Sequence, residues 1–140
     1  LEAQRISCEL PIAGSSDICC LTMTSGTTGK PKTIACSHRY FRVGSLCRSA
    51  FPLKQDDRMG VNVMFVWEVL WPLAHGLATY IIPDNAVLDP HLFVSTITKH
   101  NLTRTLTTPS LLSTILQHCA SDVRQKLGSM RLWLTCGEVL

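Results

Sequence analysis

The residues with the clearest chemical character form one short segment of nine residues. Residues 24–32 read T-S-G-T-T-G-K-P-K, directly after the apolar run Ile18 to Met23. Glycine has no Cβ, so the backbone at the two glycines can adopt positive φ and approach a bulky anion. Backbone N–H groups and hydroxyls can then donate hydrogen bonds to phosphate oxygens, while the two lysines supply positive charge. The segment predicts a polyphosphate-binding loop, with a hydroxyl-rich surface turn as the alternative.

The nearest other phosphate-binding motif is the Walker loop, G-x-x-x-x-G-K-[ST], which opens a helix. This chain departs from that motif in two ways. Only two residues separate Gly26 from Gly29, and Pro31 stands where the Walker loop needs a metal-binding hydroxyl. The residues that follow, 33–36, have the pattern of a strand. The sequence therefore indicates a phosphate loop between two strands.

The loop and three later stretches resemble the motifs of one known family. The later stretches are Val66-Trp67-Glu68 with Pro72-Leu73 and Gly76, then Thr108-Pro109-Ser110, then Leu132-Trp133-Leu134-Thr135-Cys136-Gly137-Glu138. In this order they are similar to the phosphate loop, V-W-E…P-L…G, T-P-S and L-x-x-x-G-G-E motifs of the adenylate-forming superfamily. That superfamily contains acyl-CoA synthetases, luciferases and the amino-acid adenylation domains of nonribosomal peptide synthetases. The resemblance covers about Ile18 to Leu140 and is strongest to the last type.

This resemblance implies ATP-dependent activation of a carboxylic acid substrate. Such enzymes join a carboxylate to the α-phosphate of ATP and release pyrophosphate, and donors placed beforehand stabilise the charge on the phosphate oxygens. Mg²⁺ accompanies the nucleotide, and no metal ligand is predicted among the residues of this chain. CoA, or the phosphopantetheine of a carrier-protein domain, is the expected kind of acceptor. The nucleotide-binding residues that the resemblance implies are Thr24, Ser25, Gly26, Thr27, Thr28, Gly29, Lys30 and Lys32.

The resemblance also bears on which acid is bound. In amino-acid adenylation domains one segment reads F-D-x-S-V-W-E, and its aspartate pairs with the α-ammonium of the substrate; here residues 62–68 read N-V-M-F-V-W-E. A buried ammonium without a partner is costly, so Val63 disfavours a standard α-amino acid in the usual pose. A β-amino acid, a hydroxy or keto acid, or an aryl or fatty acid fits better. The implied substrate-binding residues are Val63, Met64, Trp67, Leu106, Leu134 and Cys136, although residues of these types are also ordinary core residues.

Two polar residues near these motifs have open roles. His38 follows the second predicted strand, where the family commonly has a histidine, and both helix capping and a contact near the acyl site are alternatives for it. Glu68 lies in an apolar helical pattern, so its carboxylate needs a partner or a hydrated cavity. The sequence does not decide either role.

Composition excludes several classes of function. The chain has 140 residues, 46% hydrophobic and 16% charged, which suits a globular domain with a sizeable core. Its net charge is +3 with scattered basic residues, so neither a nucleic-acid nor a membrane partner is predicted. The longest apolar run, Val61 to Leu73, is shorter than the ~20 residues of a membrane span. Seven cysteines without a C-x-x-C pair indicate neither a disulfide framework nor a zinc site, and favour a reducing, cytoplasmic location.

Alternating strand and helix patterns predict an α/β fold with a largely parallel sheet flanked by helices. Residues 1–16 are interpreted as a lead-in segment and residues 17–140 as a partial AMP-binding (adenylation) domain. In the helix that begins at Pro90, we expect Leu92, Phe93 and Ile97 to face the core, with Val94 as a further candidate. Predicted strands cover 18–23, 32–36, 59–63, 77–82, 103–107 and 131–135, and predicted helices cover 38–50, 65–73, 90–100 and 109–119.

The motif inventory predicts a fragment, truncated at its C-terminal end, of the N-terminal region of an adenylate-forming ligase. The family's Y-G-P-T-E and T-G-D segments, its hinge and its C-terminal lysine do not occur, so no catalytic set is complete. We expect the fragment to need the remainder of the adenylation domain and to be inactive alone. The alternatives are a non-catalytic nucleotide- or phosphate-binding module, or a structural remnant with unpartnered sheet edges. The particular acid, the thiol acceptor, the oligomeric state and independent folding are not specified by the sequence.

Overall fold

The computed structural model describes residues 11–24, 29–62, 66–121 and 123–137. The chain forms two compact units, Leu1–Pro52 and Leu53–Leu140. We call them the hairpin unit and the sheet unit.

The hairpin unit contains two strands and a helix: β1 (Ile18–Thr24), β2 (Lys32–Ser37) and α1 (His38–Arg48). The two strands pair antiparallel, with Thr24 opposite Lys32 at the end near the loop. Parallel strands need a crossover of about a dozen residues or more, whereas only the seven residues 25–31 separate β1 from β2. The short connection therefore dictates the antiparallel pairing, which the expectation of alternating strands and helices did not include.

The sheet unit has a four-stranded parallel sheet in the order β4-β3-β5-β6. Its strands are β3 (Arg58–Val61), β4 (Ala78–Ile81), β5 (Arg104–Thr107) and β6 (Leu132–Thr135). Its helices are α2 (Val66–Ala74), α3 (Asp84–Val87), α4 (Pro90–His100), α5 (Pro109–His118) and α6 (Val123–Lys126). The predicted fold class is confirmed. Helix α3 was not predicted, because four residues are too few to show a helical period.

Helix α4 supplies the centre of the core. Its N-cap is Asp89, whose side chain accepts hydrogen bonds from two backbone amides of the first turn. Phe93 and Ile97 are fully buried as expected, but the prediction for Leu92 is wrong, since its side chain is 38% exposed. At about 100° per residue, Leu92 and Val94 flank Phe93 on opposite sides of the helix, and the buried stripe extends toward Val94. The residues buried together are Ile82, Ala86, Phe93, Val94, Ile97, Leu102, Ile115 and Cys119.

None of the helices formed by the described residues has the length and apolar character that crossing a bilayer requires.

Candidate functional site

The predicted phosphate loop connects the two strands of the hairpin. Because Thr24 and Lys32 are paired, the ends of the loop are held side by side. Residues 25–28, which are Ser25, Gly26, Thr27 and Thr28, lie outside the described residues, as does the side chain of Thr24. The structure therefore places three of the predicted nucleotide contacts, Gly29, Lys30 and Lys32.

These three residues combine a glycine at positive φ with two exposed lysines. Gly29 adopts a φ of +77°, and a Cβ added to it would have no atom within 4 Å. The backbone conformation, rather than lack of space, thus favours glycine there. Lys30 and Lys32 are exposed, so their ammonium groups are accessible to an anionic ligand. The described residues contain no cluster of three or more His, Cys, Asp or Glu side chains able to hold a metal ion.

Three predicted substrate-binding residues lie together on one face of the parallel sheet. The register places Val61, Leu106 and Leu134 side by side on β3, β5 and β6. Since alternate side chains of a strand share a face, Cys136, two residues beyond Leu134, lies on that face too. Leu106 is buried, whereas Leu134 and Cys136 are half-buried. The carboxyl ends of β5 and β6 therefore present an apolar, partly open surface, which we call the acyl face.

The remaining predicted pocket residues are not placed. Val63 and Met64 lie outside the described residues, and the side chain of Trp67, in the first turn of α2, is likewise not described. His38 is the first residue of α1 and has an exposed side chain, and its backbone amide donates to the carbonyl of Asp17 at 2.9 Å. For His38 the structure thus shows a position at the start of a helix.

The buried side chain of Glu68 affects the pKa of Cys136 on the acyl face. Glu68 is 1% exposed in the first turn of α2, where the helix macrodipole favours a negative charge. Burial raises the pKa of the Cys136 thiol, and the negative charge of Glu68 raises that pKa further. Only the thiolate is a good nucleophile. The raised pKa therefore lowers the thiolate fraction of Cys136 at neutral pH.

The opposite face of the sheet belongs to the core. Trp133 donates its indole N–H to Thr107 Oγ1 at 2.7 Å, and its ring stacks on Phe93 with centroids 6.0 Å apart. Sequence reasoning missed this contact between β5 and β6. A buried tryptophan usually donates its N–H to a partner. That tendency is the one sequence signal that could have indicated a hydrogen bond from Trp133. The contact holds together the two strands that carry the acyl face.

An ion cluster fixes the same strands at their amino ends. Asp57, just before β3, is 3% exposed. Its carboxylate accepts hydrogen bonds from the Lys54 amide at 2.8 Å, Thr103 Oγ1 at 2.8 Å, Arg104 Nη1 at 3.1 Å and Arg131 Nη2 at 2.5 Å. Residues before or at the start of β3, β5 and β6 thus converge on one carboxylate. The cluster supports the register that places Leu106 beside Leu134.

The pKa of Asp57 reflects this arrangement. Burial by itself raises the pKa of the carboxyl group. Hydrogen bonds from the Lys54 amide, Thr103 and Arg104, together with the charge of Arg131, outweigh burial and hold the pKa below its ordinary value. Asp57 is therefore ionised at neutral pH and contributes to stability as a carboxylate.

Comparison with known proteins gives a family and a fold. Residues 2–140 match the family of AMP-binding enzymes. Among relatives, glycine betaine reductase ATRR of Emericella nidulans is 40% identical over 134 residues, which are 94% of this chain and 10% of that protein. Tyrocidine synthase 3 of Brevibacillus parabrevis is 27% identical over 135 residues, 92% of this chain and 2% of that protein. The chain thus spans a tenth or less of the length of these two relatives.

Solved structures agree in fold. CmiS6 superposes with a TM-score of 0.74 at 24% identity, over 99% of this chain and 33% of that one. The nonribosomal peptide synthetase FmoA3, in a form with bound α-methyl-L-serine-AMP, gives a TM-score of 0.75 at 23% identity, over 92% of this chain and 15% of that one. Another structure of FmoA3 contains AMPPNP.

Proposed function

The chain belongs to the family of AMP-binding, adenylate-forming enzymes, and from this premise we propose that the protein carrying it uses ATP to activate a carboxylic acid as an acyl-adenylate. The carboxylate oxygen attacks the α-phosphorus, the bond to the bridging oxygen breaks, and pyrophosphate leaves. Mg²⁺ bound with the nucleotide would neutralise part of the charge on the phosphates. CoA or a carrier-protein thiol is the acceptor class that fits this chemistry.

The observation that carries the proposal is the geometry of the hairpin. Gly29 in a left-handed conformation and two exposed lysines stand at the point where β2 leaves the loop. In this role Lys30 and Lys32 bind the β- and γ-phosphates, together with the hydroxyls and amides of residues 24–28. Positive groups held in place beforehand favour departure of pyrophosphate, because they stabilise negative charge without reorganising.

We propose the acyl face as one wall of the acid-binding pocket. Leu106, Leu134 and Cys136 give it an apolar surface with a neutral thiol. Val63, Met64 and Trp67 complete the pocket in this proposal, on the basis of the family resemblance. A wall of this kind excludes water from the carboxylate that reacts.

For the substrate class, we propose a carboxylic acid that bears a quaternary ammonium group. Val63 stands where the resemblance places an ammonium-binding aspartate, and a relative of 40% identity is named a glycine betaine reductase. A quaternary ammonium has no N–H to donate, so it does not need a hydrogen bond from an aspartate. An aromatic face attracts such a cation, and Trp67 is the candidate for that contact.

The activity is tested by carboxylate-dependent exchange of labelled pyrophosphate into ATP, measured on the intact protein. We expect Lys30→Ala to lower the exchange rate about a hundredfold, the usual cost of removing one stabilising donor. Lys99→Ala, which removes an exposed lysine from α4, is the matched control and should keep full activity. If Lys30→Ala and Lys32→Ala both retain full exchange, the hairpin is not the phosphate site.

The substrate class is tested by a panel of acids in the same assay. Glycine betaine should support faster exchange than glycine or benzoate. In Val63→Asp, the new carboxylate should shift the preference toward glycine, whose ammonium can donate to it. Faster exchange with benzoate would overturn the quaternary-ammonium proposal but leave acid activation intact.

We infer that residues 1–140 need the rest of an adenylation domain for turnover. The described residues include Gly29, Lys30 and Lys32 of the hairpin unit and one wall of the proposed pocket. The relatives are several times longer than this chain. The 140-residue polypeptide should therefore show no exchange, whereas the intact protein should. ATP binding without exchange in the intact protein would favour the non-catalytic nucleotide-binding module.

A further inference from the structure

The strands that flank the phosphate loop carry a group of three cysteines. Cys20 on β1 lies directly opposite Cys36 on β2 in the antiparallel register. Cys19 precedes Cys20 next to a register shift, and it has no paired residue on β2. All three are free thiols. Neighbouring side chains of a strand point to opposite faces, so Cys20 and not Cys19 shares a face with Cys36.

The contacts around Cys36 show that the Cys20 and Cys36 thiols interact. Burial raises the pKa of the Cys20 thiol, and the charge of Cys36 and a hydrogen bond between the two thiols also raise it. Thr22 Oγ1 lies 3.7 Å from Cys36 Sγ on the same face of the hairpin. The Cys19 thiol instead donates to the backbone carbonyl of Cys36 at 3.1 Å. One sulfur of β1 therefore faces the Cys36 sulfur, and the other faces its backbone.

The backbone spacing fits a covalent bond between the two facing thiols. Residues directly opposite each other in an antiparallel pair have Cα atoms about 4.5 Å or about 5.5 Å apart, depending on the hydrogen-bonding pattern. Disulfides join residues whose Cα atoms are about 4.4–6.8 Å apart. Either kind of pair satisfies this requirement on the Cα spacing of Cys20 and Cys36.

We propose that Cys20 and Cys36 are a redox modification site, at which a peroxide forms a reversible cross-strand disulfide. The Cys20 thiol, which is less buried than Cys36, first releases its proton to solvent, and its thiolate then attacks a peroxide oxygen. The O–O bond breaks, and a sulfenic acid and water form. The Cys36 sulfur then attacks the sulfenic sulfur, the S–O bond breaks, and a second water leaves. Two thiols lose two electrons in total, and hydrogen peroxide is reduced to two waters. A dithiol reductant reverses the reaction.

The position of the bond gives it a consequence for the hairpin. The cysteine pair lies four residue pairs from the Thr24–Lys32 pair along the ladder, or about 14 Å at about 3.4 Å per residue. The disulfide would close residues 21–35 into a covalent loop that contains the whole phosphate segment. Closing such a loop restricts the unfolded chain and stabilises the paired strands. Oxidation would thus link β1 and β2 covalently at the end of the hairpin away from the loop, and it would leave Lys30 and Lys32 unmodified.

Tryptic mapping of the intact protein tests the pairing. The protein is treated with hydrogen peroxide, its remaining thiols are alkylated, and it is digested without reduction. Trypsin does not cut between Lys30 and Pro31, so Cys36 falls alone in peptide 33–39 while Cys8, Cys19 and Cys20 fall in peptide 6–32. We expect a species with the mass of both peptides less two hydrogens plus two alkyl groups, one on each unpaired cysteine of peptide 6–32, and we expect dithiothreitol to separate it.

Single substitutions assign the bond. Cys20→Ser and Cys36→Ser should each reduce the linked species to background, whereas Cys19→Ser, the matched control, should retain it. Cys20→Ala, with circular dichroism of each variant, guards against loss through misfolding. Persistence of the link in Cys20→Ser with loss in Cys19→Ser would overturn the proposed pairing. Absence of the link in the wild-type protein, with sulfinic acid at Cys20 instead, would overturn the disulfide itself.

Discussion

Different interactions stabilise the hairpin unit and the sheet unit internally. Among the residues of the hairpin unit whose burial is described, Cys36 alone is buried, and Leu21 and Met23 of β1 are 63% and 74% exposed. In the sheet unit, Phe93 and Ile97 are fully buried, and Asp57 ties three strands together through charged hydrogen bonds. The first unit depends mainly on local backbone pairing, and the second on contacts between residues distant in sequence.

This difference matches the chemistry proposed for each unit. A loop that receives a polyphosphate needs accessible charge and a particular backbone conformation, which a hairpin provides with few buried side chains. A pocket wall needs side chains fixed against one another, and a core on the opposite face of the same strands provides that rigidity. The phosphate contacts and the pocket contacts are thus positioned by separate physical means.

Truncating one apolar side chain in each unit should give the largest difference in unfolding free energy between the two units. Phe93→Ala should lower the free energy of unfolding by about 3–5 kcal/mol, since it removes a fully buried ring. Met23→Ala should change that free energy by less than about 0.5 kcal/mol, as for other exposed positions. Urea denaturation of both variants gives the values. A large loss in Met23→Ala would show that the exposed face of the hairpin is covered in the intact protein.

The ion cluster should give the next largest effect. Asp57→Asn leaves Arg104 and Arg131 without their shared carboxylate, and removing one partner of a buried ion pair costs about 3 kcal/mol. Asp56→Asn is the matched control, because Asp56 bonds the same Arg131 at 2.9 Å but is exposed. We expect little change in the control. Equal losses in urea denaturation of the two variants would contradict the central position assigned to Asp57.

The same carboxylate predicts a pH dependence. The pKa of Asp57 is lowered in the folded state, so its contribution to stability is present above the unfolded pKa of about 3.9. That contribution is lost as the pH falls through the lower, folded pKa. The difference in unfolding free energy between wild type and Asp57→Asn should therefore be constant from about pH 6 to pH 8 and shrink below about pH 4. A difference that grows in acid would contradict this sign.

The sequence was sufficient for most of the fold because the helices and strands have strong local patterns. Helix α4 shows this, with Asp89 and Pro90 at its start and Phe93 and Ile97 on one face. The antiparallel pairing of β1 and β2 was not predicted, although the length of residues 25–31 contained the information. Helix α3 is too short to produce a period. Local pattern identifies an element, but chain length between elements decides how it pairs.

The positions of the candidate site residues were predictable only where a motif specifies the backbone. Gly29, Lys30 and Lys32 belong to a contiguous motif, so their position in a loop between two strands follows from the sequence. Leu106 and Leu134 are neighbours because of the parallel register, and single-residue patterns do not contain register. The convergence on Asp57 of donors more than forty residues away in sequence is invisible to any local pattern. Pairings of this kind require the three-dimensional structure.

A glycine in each unit offers a finer test of the comparison. In the sheet unit, a Cβ at Gly60 would lie 2.8 Å from Leu102 Cδ1 and 3.1 Å from Ile82 Cδ1, both buried core residues. Gly60→Ala should therefore cost about 1–3 kcal/mol through overpacking. Gly60→Ala combined with Leu102→Val, which shortens the clashing side chain, should recover part of that loss. Failure of the second change to recover any stability in urea denaturation would mean that packing is not the reason for glycine at this position.

In the hairpin unit, the same substitution should act through the backbone alone. Gly29 has φ +77° with no atom within 4 Å of an added Cβ, so Gly29→Ala should cost about 1 kcal/mol from the left-handed conformation. Gly29→Asn should cost less, since asparagine tolerates that conformation better. Gly44→Ala is the matched control: Gly44 lies in α1 with equally open surroundings, and alanine there should stabilise the helix by about 0.5–1 kcal/mol. Changes of opposite sign in the unfolding free energy at Gly29 and Gly44 would establish backbone conformation as the cause. Changes of the same sign would remove the conformational argument for glycine at position 29.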